Sequence, residues 1–310
     1  MAPEAEEDPG TLAGGRVLVT GAAGMLGSQC LLSAPDGFEA IGADLRSAPS
    51  DHPEVALIGH DLTDRKQVEE LFEAAGPIIG VLHPAAYTAV DKAEEEPDLA
   101  ERVNALAPAH VARACQQRDI PMVLVSTDFV FDGARRIPYL PEDQPAPMSV
   151  YGRTKLSGEQ AVLEAHPDGI AIVRTQWLYG PRGNHFPGTM LKLASERDSL
   201  KVVSDQFGAP TSTLELAPAL WDVLTSRAKG TFHAACEGEA SWFDFANETL
   251  RLCGRTTPIA PCSTAEFPRP AIRPTYSVLD STRLTQLRGK PLGLWTVALR
   301  EFLEAEQLLA

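Results

Sequence analysis

Residues 16–27 read RVLVTGAAGMLG, and this stretch decides the fold. Arg16–Thr20 is a short run of β-branched and apolar residues, the composition of a buried strand. It runs straight into Gly21, Gly24 and Gly27, spaced GxxGxxG, and a helical pattern follows over Met25–Ser33. Without a Cβ, glycine lets the backbone turn tightly between strand and helix and lie close against a pyrophosphate. The helix start then offers unpaired N–H groups and the positive end of its dipole to the anion. Met25 and Leu26, the first helical residues, share that cradle. Asp44 closes the second apolar run, 23 residues after Gly21, where a carboxylate reaches adenosine ribose hydroxyls. The stretch predicts a dinucleotide-binding βαβ unit.

The same rhythm continues outward. Apolar runs at 39–43, 55–60, 80–83, 121–126 and 170–174 alternate with helical patterns at 65–74 and 98–117 and after Ser149. Alternation of this kind predicts a parallel sheet covered on both faces. The fold class is α/β, a doubly wound parallel Rossmann sheet with a smaller C-terminal substrate-binding lobe. Beyond Gly180 the elements shorten and glycine, proline and polar residues separate them, until an amphipathic helix closes the chain at 295–309. The expected organisation is a disordered leader over 1–15, a dinucleotide-binding domain over 16–180, and a lobe over 181–310 with some segments returning to the first domain.

Composition narrows the function classes. At 44% hydrophobic and 22% charged, the 310 residues are those of a globular protein. No apolar run approaches the roughly 20 residues that cross a bilayer, and the acidic start MAPEAEEDPG lacks a signal peptide's basic and apolar regions. A cytoplasmic location is expected. Five cysteines form no CxxC pair, so neither zinc nor a disulfide framework is expected. A net charge of −15 argues against nucleic acid and anionic membrane as partners. An anionic ligand would need local cations, for which Arg182, Lys192, Lys201, Arg269 and Arg273 are candidates.

Chemistry is carried by Tyr151-Gly-Arg-Thr-Lys155. Tyrosine and lysine four apart share one helix face. Ketone reduction by hydride leaves an alkoxide that needs a positioned acid. A phenol can serve when a nearby ammonium tunes it, and the same ammonium can hold a nicotinamide ribose. At the end of the strand before it, Ser126 and Thr127 both offer a hydroxyl to the substrate oxygen, followed by Asp128. Ala85, Ala86 and Tyr87 follow the fourth strand where the nicotinamide half must pass close to backbone. Asp61-Leu62 falls where a carboxylate takes the adenine amino group, with Thr63 or Asp64 left to cap the next helix. Arg46, beside Asp44, could accept a 2′-phosphate or lie in solvent, so the cofactor expected is NADPH or NADH. His83 reads as a satisfied strand-end histidine, and residues 91–96 as a mostly solvated charged face.

With these residues in view, the sequence resembles the dTDP-4-dehydrorhamnose reductases, a family of extended short-chain dehydrogenases. The resemblance rests on GAAGMLG, DLTD, AAYTAVDKAE, STDFVFDG, YGRTKLSGE, RTQWLYG, VVSDQFGAPTS and RPTYSVLDSTRL. It implies reduction of the C4 keto group of dTDP-4-dehydro-β-L-rhamnose by NAD(P)H. Tyr151 would be the proton donor, Lys155 its tuner and ribose ligand, and Thr127 the third member. It further implies cofactor contacts at Gly24, Met25, Leu26, Asp61, Leu62, Ala85, Ala86, Tyr87 and the Val125 backbone, and substrate contacts at Asp128 and Trp177. Metal-dependent relatives exist, but no metal site maps here, and a homodimer is left open. His83-Pro84 stands where the family usually has Asn-Ala, Phe129 where Tyr is frequent, and Gln176 where Ser is common. The rivals are a reductase, epimerase or dehydratase of another nucleotide-linked deoxysugar, and a non-catalytic regulatory subunit. Phe129 supplies no acid/base partner for dehydration, and intact Tyr151 and Lys155 speak for an enzyme.

Overall fold

A computed structural model describes residues 10–45 and 57–310. Arg46 lies outside the described residues, as do residues 1–9 of the expected leader. From residue 10 the chain is placed. Leu12, inside the span expected as a leader, donates its N–H to the Thr225 carbonyl at 2.8 Å and packs on the core.

The first half alternates as the sequence predicts. Strand β1 (Gly15–Thr20) leads into helix α1 (Met25–Leu32), then β2 (Phe38–Asp44), β3 (Leu57–Gly59), α2 (Arg65–Ala75) and β4 (Gly80–His83). Next come α3 (Val90–Ala93), α4 (Pro97–Glu101), α5 (Ala107–Gln116), β5 (Met122–Thr127), α6 (Val150–Ala165) and β6 (Ile170–Thr175). Asp64 caps α2, its carboxylate accepting the Lys66 N–H at 2.9 Å, which releases Asp61 from that duty.

The helix expected across 98–117 is interrupted. Between α4 and α5, Arg102–Leu106 forms a π turn. One extra residue per turn rotates everything after it by about 100°. Leu106, at helical spacing with the other apolar residues of 98–117, is exposed, while Asn104 is buried.

The second half adds β7 (Leu178–Tyr179), α7 (Phe186–Glu196), β8 (Leu200–Val203), β9 (Phe207–Gly208), β10 (Thr211–Ser212) and α8 (Thr213–Thr225). It continues with β11 (Gly230–His233), β12 (Ala240–Ser241), α9 (Trp242–Leu252), β13 (Ile259–Cys262), α10 (Thr282–Arg288) and α11 (Trp295–Ala305). Among the described residues the main sheet has seven strands in the order β11-β6-β5-β4-β1-β2-β3, all parallel. The order reverses between β1 and β4, and open α/β sheets bind ligands at the carboxyl ends beside such a switch point.

Two apolar layers sandwich this sheet. One holds Val17, Val19, Val123, Val125 and Val173 with α8 and α11; the other holds Leu18, Val81, Leu124 and Ile172 with α2, α5 and α6. Helix α8 and strand β11 thus return from the second half to the dinucleotide-binding core. A smaller cluster built on α7, β8 and α9, with Met190, Val202, Ala246 and Leu250, forms a separate packing unit of the second half. Among the described residues no helix is long and apolar enough to cross a membrane.

Candidate active site

The glycine turn is built as its spacing requires. Gly21 has φ +59°, and a Cβ there would stand 2.7 Å from the Ala85 Cα; a Cβ on Gly27 would run into the Gly21 carbonyl. The turn therefore lies directly against the β4 exit and α1 directly against the turn. Gly24 is the N-cap of α1 and makes no side-chain cap bond, so the helix start keeps its N–H groups for an anion. These features fit a dinucleotide pyrophosphate. Met25 meets the loop after β7, where a Cβ on Gly183 would stand 3.2 Å from the Met25 Cβ.

Asp44 has a second task. Its Oδ2 accepts the Ala23 N–H at 3.0 Å, so the carboxylate expected at the ribose also braces the glycine turn. Asp61 Oδ1 accepts from both the N–H and the hydroxyl of Thr63, at 2.9 and 2.8 Å, a local turn in which Oδ2 takes no part. The Leu62 carbonyl lies 3.3 Å from His110 Nδ1.

The β4 exit is clamped from outside. Asn104, in the π turn, accepts the Tyr87 N–H at 2.8 Å and donates to the Tyr87 carbonyl at 3.2 Å and to Thr154 Oγ1 at 3.0 Å. This ties the Ala85–Tyr87 segment to the helix that carries Tyr151 and Lys155. Sequence reading passed over Asn104; an asparagine inside an apolar helical pattern was the available signal. The charged run is also wired in. Asp91 takes a paired contact from Arg273, Glu94 accepts the Val150 N–H that starts α6, and Glu96 accepts the Tyr87 hydroxyl at 2.7 Å. Lys92 and Glu95 alone of the six charged and apolar positions 91–96 are exposed, which corrects the expectation of a mostly solvated face. It also commits Arg273, with Arg269 3.9 Å away from the same carboxylate. Lys192 is exposed beside Glu196.

The structure separates the two strand-end hydroxyls. Ser126 donates to Glu159 at 2.5 Å, behind the sheet. Thr127 donates to Asp128 Oδ1 at 3.0 Å, accepts the Phe129 N–H at 3.2 Å and acts on the Tyr151 phenol, pulling it down. Phe129 packs edge-on against Tyr151, ring centroids 5.4 Å apart. Lys155 is buried, its Nζ donating to the Val125 carbonyl at 2.8 Å. Burial pushes Lys155 down to about 8, against the raising influence of Glu159. Burial likewise pushes the Tyr151 phenol up to about 12, Thr127 opposing and Asp128 adding to the rise. The sequence leads one to expect the Lys155 ammonium to lower the phenol; here burial dominates, and the group that lowers Tyr151 is Thr127. The result is a phenol that carries its proton throughout the neutral range, the state a proton donor needs.

Asp128 is 2% exposed, and its Oδ2 is buried with no partner. Burial raises it to about 6 although Ser277 and Thr127 pull it down. Because the folded value exceeds the unfolded one, Asp128 favours folding while protonated, and that contribution is lost as pH rises from about 4 through about 6. Asp128→Asn should therefore stabilise the protein at pH 7, by on the order of 2 kcal/mol, and change it little at pH 4. Thermal unfolding at the two pH values checks this; equal effects at both would refute it.

Trp177 has φ +47° and stacks on Trp242 with centroids 3.7 Å apart and planes 11° from parallel. The Trp242 indole N–H donates to Gln206 at 3.2 Å. One face of Trp177 is thus already covered by another indole.

Fold and site together define the class, an extended short-chain dehydrogenase/reductase. The family model described as the RmlD substrate binding domain matches residues 15–308. A dTDP-4-dehydrorhamnose reductase of Mycolicibacterium smegmatis is 41% identical over 296 residues, 94% of this chain and 85% of that protein. Among solved structures, a dTDP-4-dehydrorhamnose reductase of Clostridium acetobutylicum is 40% identical with TM-score 0.85, covering 94% and 99% of the two chains. One from Bacillus anthracis, in complex with NADP, is 35% identical with TM-score 0.86 over 94% and 99%. The chain belongs to the dTDP-4-dehydrorhamnose reductase family.

Proposed function

We propose that this protein reduces the C4 keto group of dTDP-4-dehydro-β-L-rhamnose to give dTDP-L-rhamnose, using NADPH or NADH, with Tyr151 as proton donor. The observation that carries the reading is the convergence at the β5 end of Thr127, of Tyr151 packed on Phe129, and of Lys155 anchored on the Val125 carbonyl, beside the glycine turn at the switch point. The named activity and the bound NADP of the relatives point the same way.

Gly21, Gly24, Met25, Leu26 and Gly27 hold the pyrophosphate on backbone N–H groups. Asp44, Asp61 and Leu62 take the adenosine, and Ala85, Ala86, Tyr87 and Val125 flank the nicotinamide half. A reduced nicotinamide bound there supplies hydride to the carbonyl carbon. Tyr151 gives its proton to the alkoxide oxygen, Thr127 holds that oxygen in line, and Lys155 steadies the phenolate left behind while gripping the nicotinamide ribose. Asp128, with its unpartnered oxygen, accepts a sugar hydroxyl, and Trp177 packs on the sugar nucleotide. The second half, apart from α8, β11 and α11, is the substrate lobe.

The test is oxidation of NADPH and NADH by dTDP-4-dehydro-L-rhamnose, followed by absorbance, with the sugar product identified by NMR. Asp44 alone does not exclude a 2′-phosphate, so kcat/KM for the two cofactors should lie within about tenfold, about 1.4 kcal/mol. Absence of cofactor oxidation with this substrate, in protein shown to bind the dinucleotide, would refute the assignment.

A further inference from the structure

The carboxyl ends of four neighbouring strands carry a buried row of polar side chains on the α6 side of the sheet. Leu18, Val81, Leu124 and Ile172 pack with Val162 of α6 on that face. Side chains alternate along a strand, so Thr20, His83, Ser126 and Arg174, each two residues further on, face the same way. All four are buried, and the strands run β6-β5-β4-β1 in that order. From above, α6 lowers Lys155 and Glu159 into the row. At one end Arg174 and Ser126 are both satisfied by Glu159.

His83 is the unexplained member. It is 0% exposed, its Nδ1 lies 2.9 Å from Thr20 Oγ1, and its Nε2 is buried with no partner. Lys155 is the charged group that acts on it, and Glu159 is the one that acts on Lys155. Asp128 acts on Tyr151 at the front of the site, and Arg174 is held by Glu159. Nothing in the assigned chemistry uses His83.

A neutral imidazole carries one proton on two nitrogens. Placing it on Nε2 would leave a buried donor without an acceptor in a ring that already feels the Lys155 charge. Placing it on Nδ1 lets it bond Thr20 and leaves Nε2 a lone pair, the arrangement that the Lys155 charge acting on the ring favours. The second arrangement is favoured on both counts. We propose that His83 is a positioning residue for Lys155: it gives its Nδ1 proton to Thr20 and turns its Nε2 lone pair toward the Lys155 ammonium. Lys155 then has a fixed acceptor at the Val125 carbonyl and an electron-rich nitrogen on the His83 side, which leaves N–H for the ribose. Burial and the lysine charge hold the imidazole down to about 3, so it stays neutral across the working range.

The proposal rests on Lys155 being the ribose ligand and phenol tuner, and the test keeps the two separable. kcat/KM for the keto-sugar nucleotide would be followed against pH in the wild type, His83→Leu and His83→Asn, each saturated with NADPH. Leucine fills the site without an acceptor, so the ammonium loses support and the alkaline limb should move down by about one pH unit. Asparagine offers an amide oxygen and should restore most of that shift. An unmoved limb in His83→Leu, or an Asn variant that behaves like Leu, overturns the proposal. Should the Leu variant not fold, ¹⁵N NMR of the histidine rings in the wild-type holoenzyme decides it. The Nδ1-protonated neutral form at pH 7 supports the proposal, and an Nε2-protonated or doubly protonated ring overturns it. The NMR result stands apart from the substrate assignment, which falls only if the wild type fails to turn over.

Discussion

Tyr151→Phe should bind NADPH as tightly as the wild type and lose about 10²–10⁴-fold in kcat. The substitution removes one oxygen and leaves the ring that packs edge-on against Phe129, so the fold and the dinucleotide cradle are undisturbed. What disappears is the proton. Burial lifts the phenol to about 12 and thereby keeps it protonated. Burial holds Lys155 near 8, so the ammonium that must steady the phenolate is present at pH 7 and lost as pH rises through about 8. The wild-type rate should accordingly fall on the alkaline side near that value, and the residual Phe activity should lose this limb. Dinucleotide titration by fluorescence and a kcat–pH profile read the two halves of the prediction. A Phe variant with near-native kcat would remove Tyr151 from the chemistry. A Phe variant that no longer binds NADPH would mean that the hydroxyl serves the cofactor.

Much of this site was legible because its parts are local in sequence. The glycine turn, the β4 exit and the Tyr-Lys pair each need only a few consecutive residues with the right spacing, and β1, β4, β5 and β6 are apolar runs that a two-sided sheet demands. What escaped was set by distant partners. Thr127 and Ser126 are equivalent as a dipeptide. They differ because a strand alternates its faces, and only the position of Glu159 on α6 shows which face lies behind the sheet. The π turn is hidden because the apolar pattern over 98–117 continues across it, while a single inserted residue turns Leu106 outward and Asn104 inward. The charged run looked solvated because Arg273 and the Val150 N–H, which consume Asp91 and Glu94, lie well away in sequence, and the Tyr87 hydroxyl reaches Glu96 from before the run. Strand β11, GTFH, lacks the apolar run that marks β4, and the two-residue strands of the second half are too short for any periodicity to register.

Glu159 is where the hidden part of the site should show most in stability. Its carboxylate takes two bonds from Arg174, at 2.9 and 2.7 Å, and one from Ser126. Both side chains of the ion pair are about 95% buried, with exposures of 5% and 4%. The Arg174 guanidinium also lies 5.2 Å from the Phe131 ring centroid. Removing one partner of such a pair strands the other charge away from water, a loss of about 3–5 kcal/mol. A domain is stable by only about 5–15 kcal/mol, so Glu159→Ala should unfold at much lower denaturant concentration. Replacing both partners with apolar residues is a different experiment, since no charge is then stranded. Glu159→Leu combined with Arg174→Met should recover most of the stability. It should not recover the pH profile. Glu159 is also the negative group that raises Lys155, and without it the ammonium is lost at lower pH, so the alkaline limb should stay displaced toward acid in the restabilised double variant. Urea titrations of both variants and the kcat–pH profile of the double variant separate the structural from the electrostatic role. A Glu159→Ala loss below about 1 kcal/mol would show that water reaches Arg174. A double variant with the wild-type limb would show that Lys155 keeps its charge through Val125, His83 and the bound ribose alone.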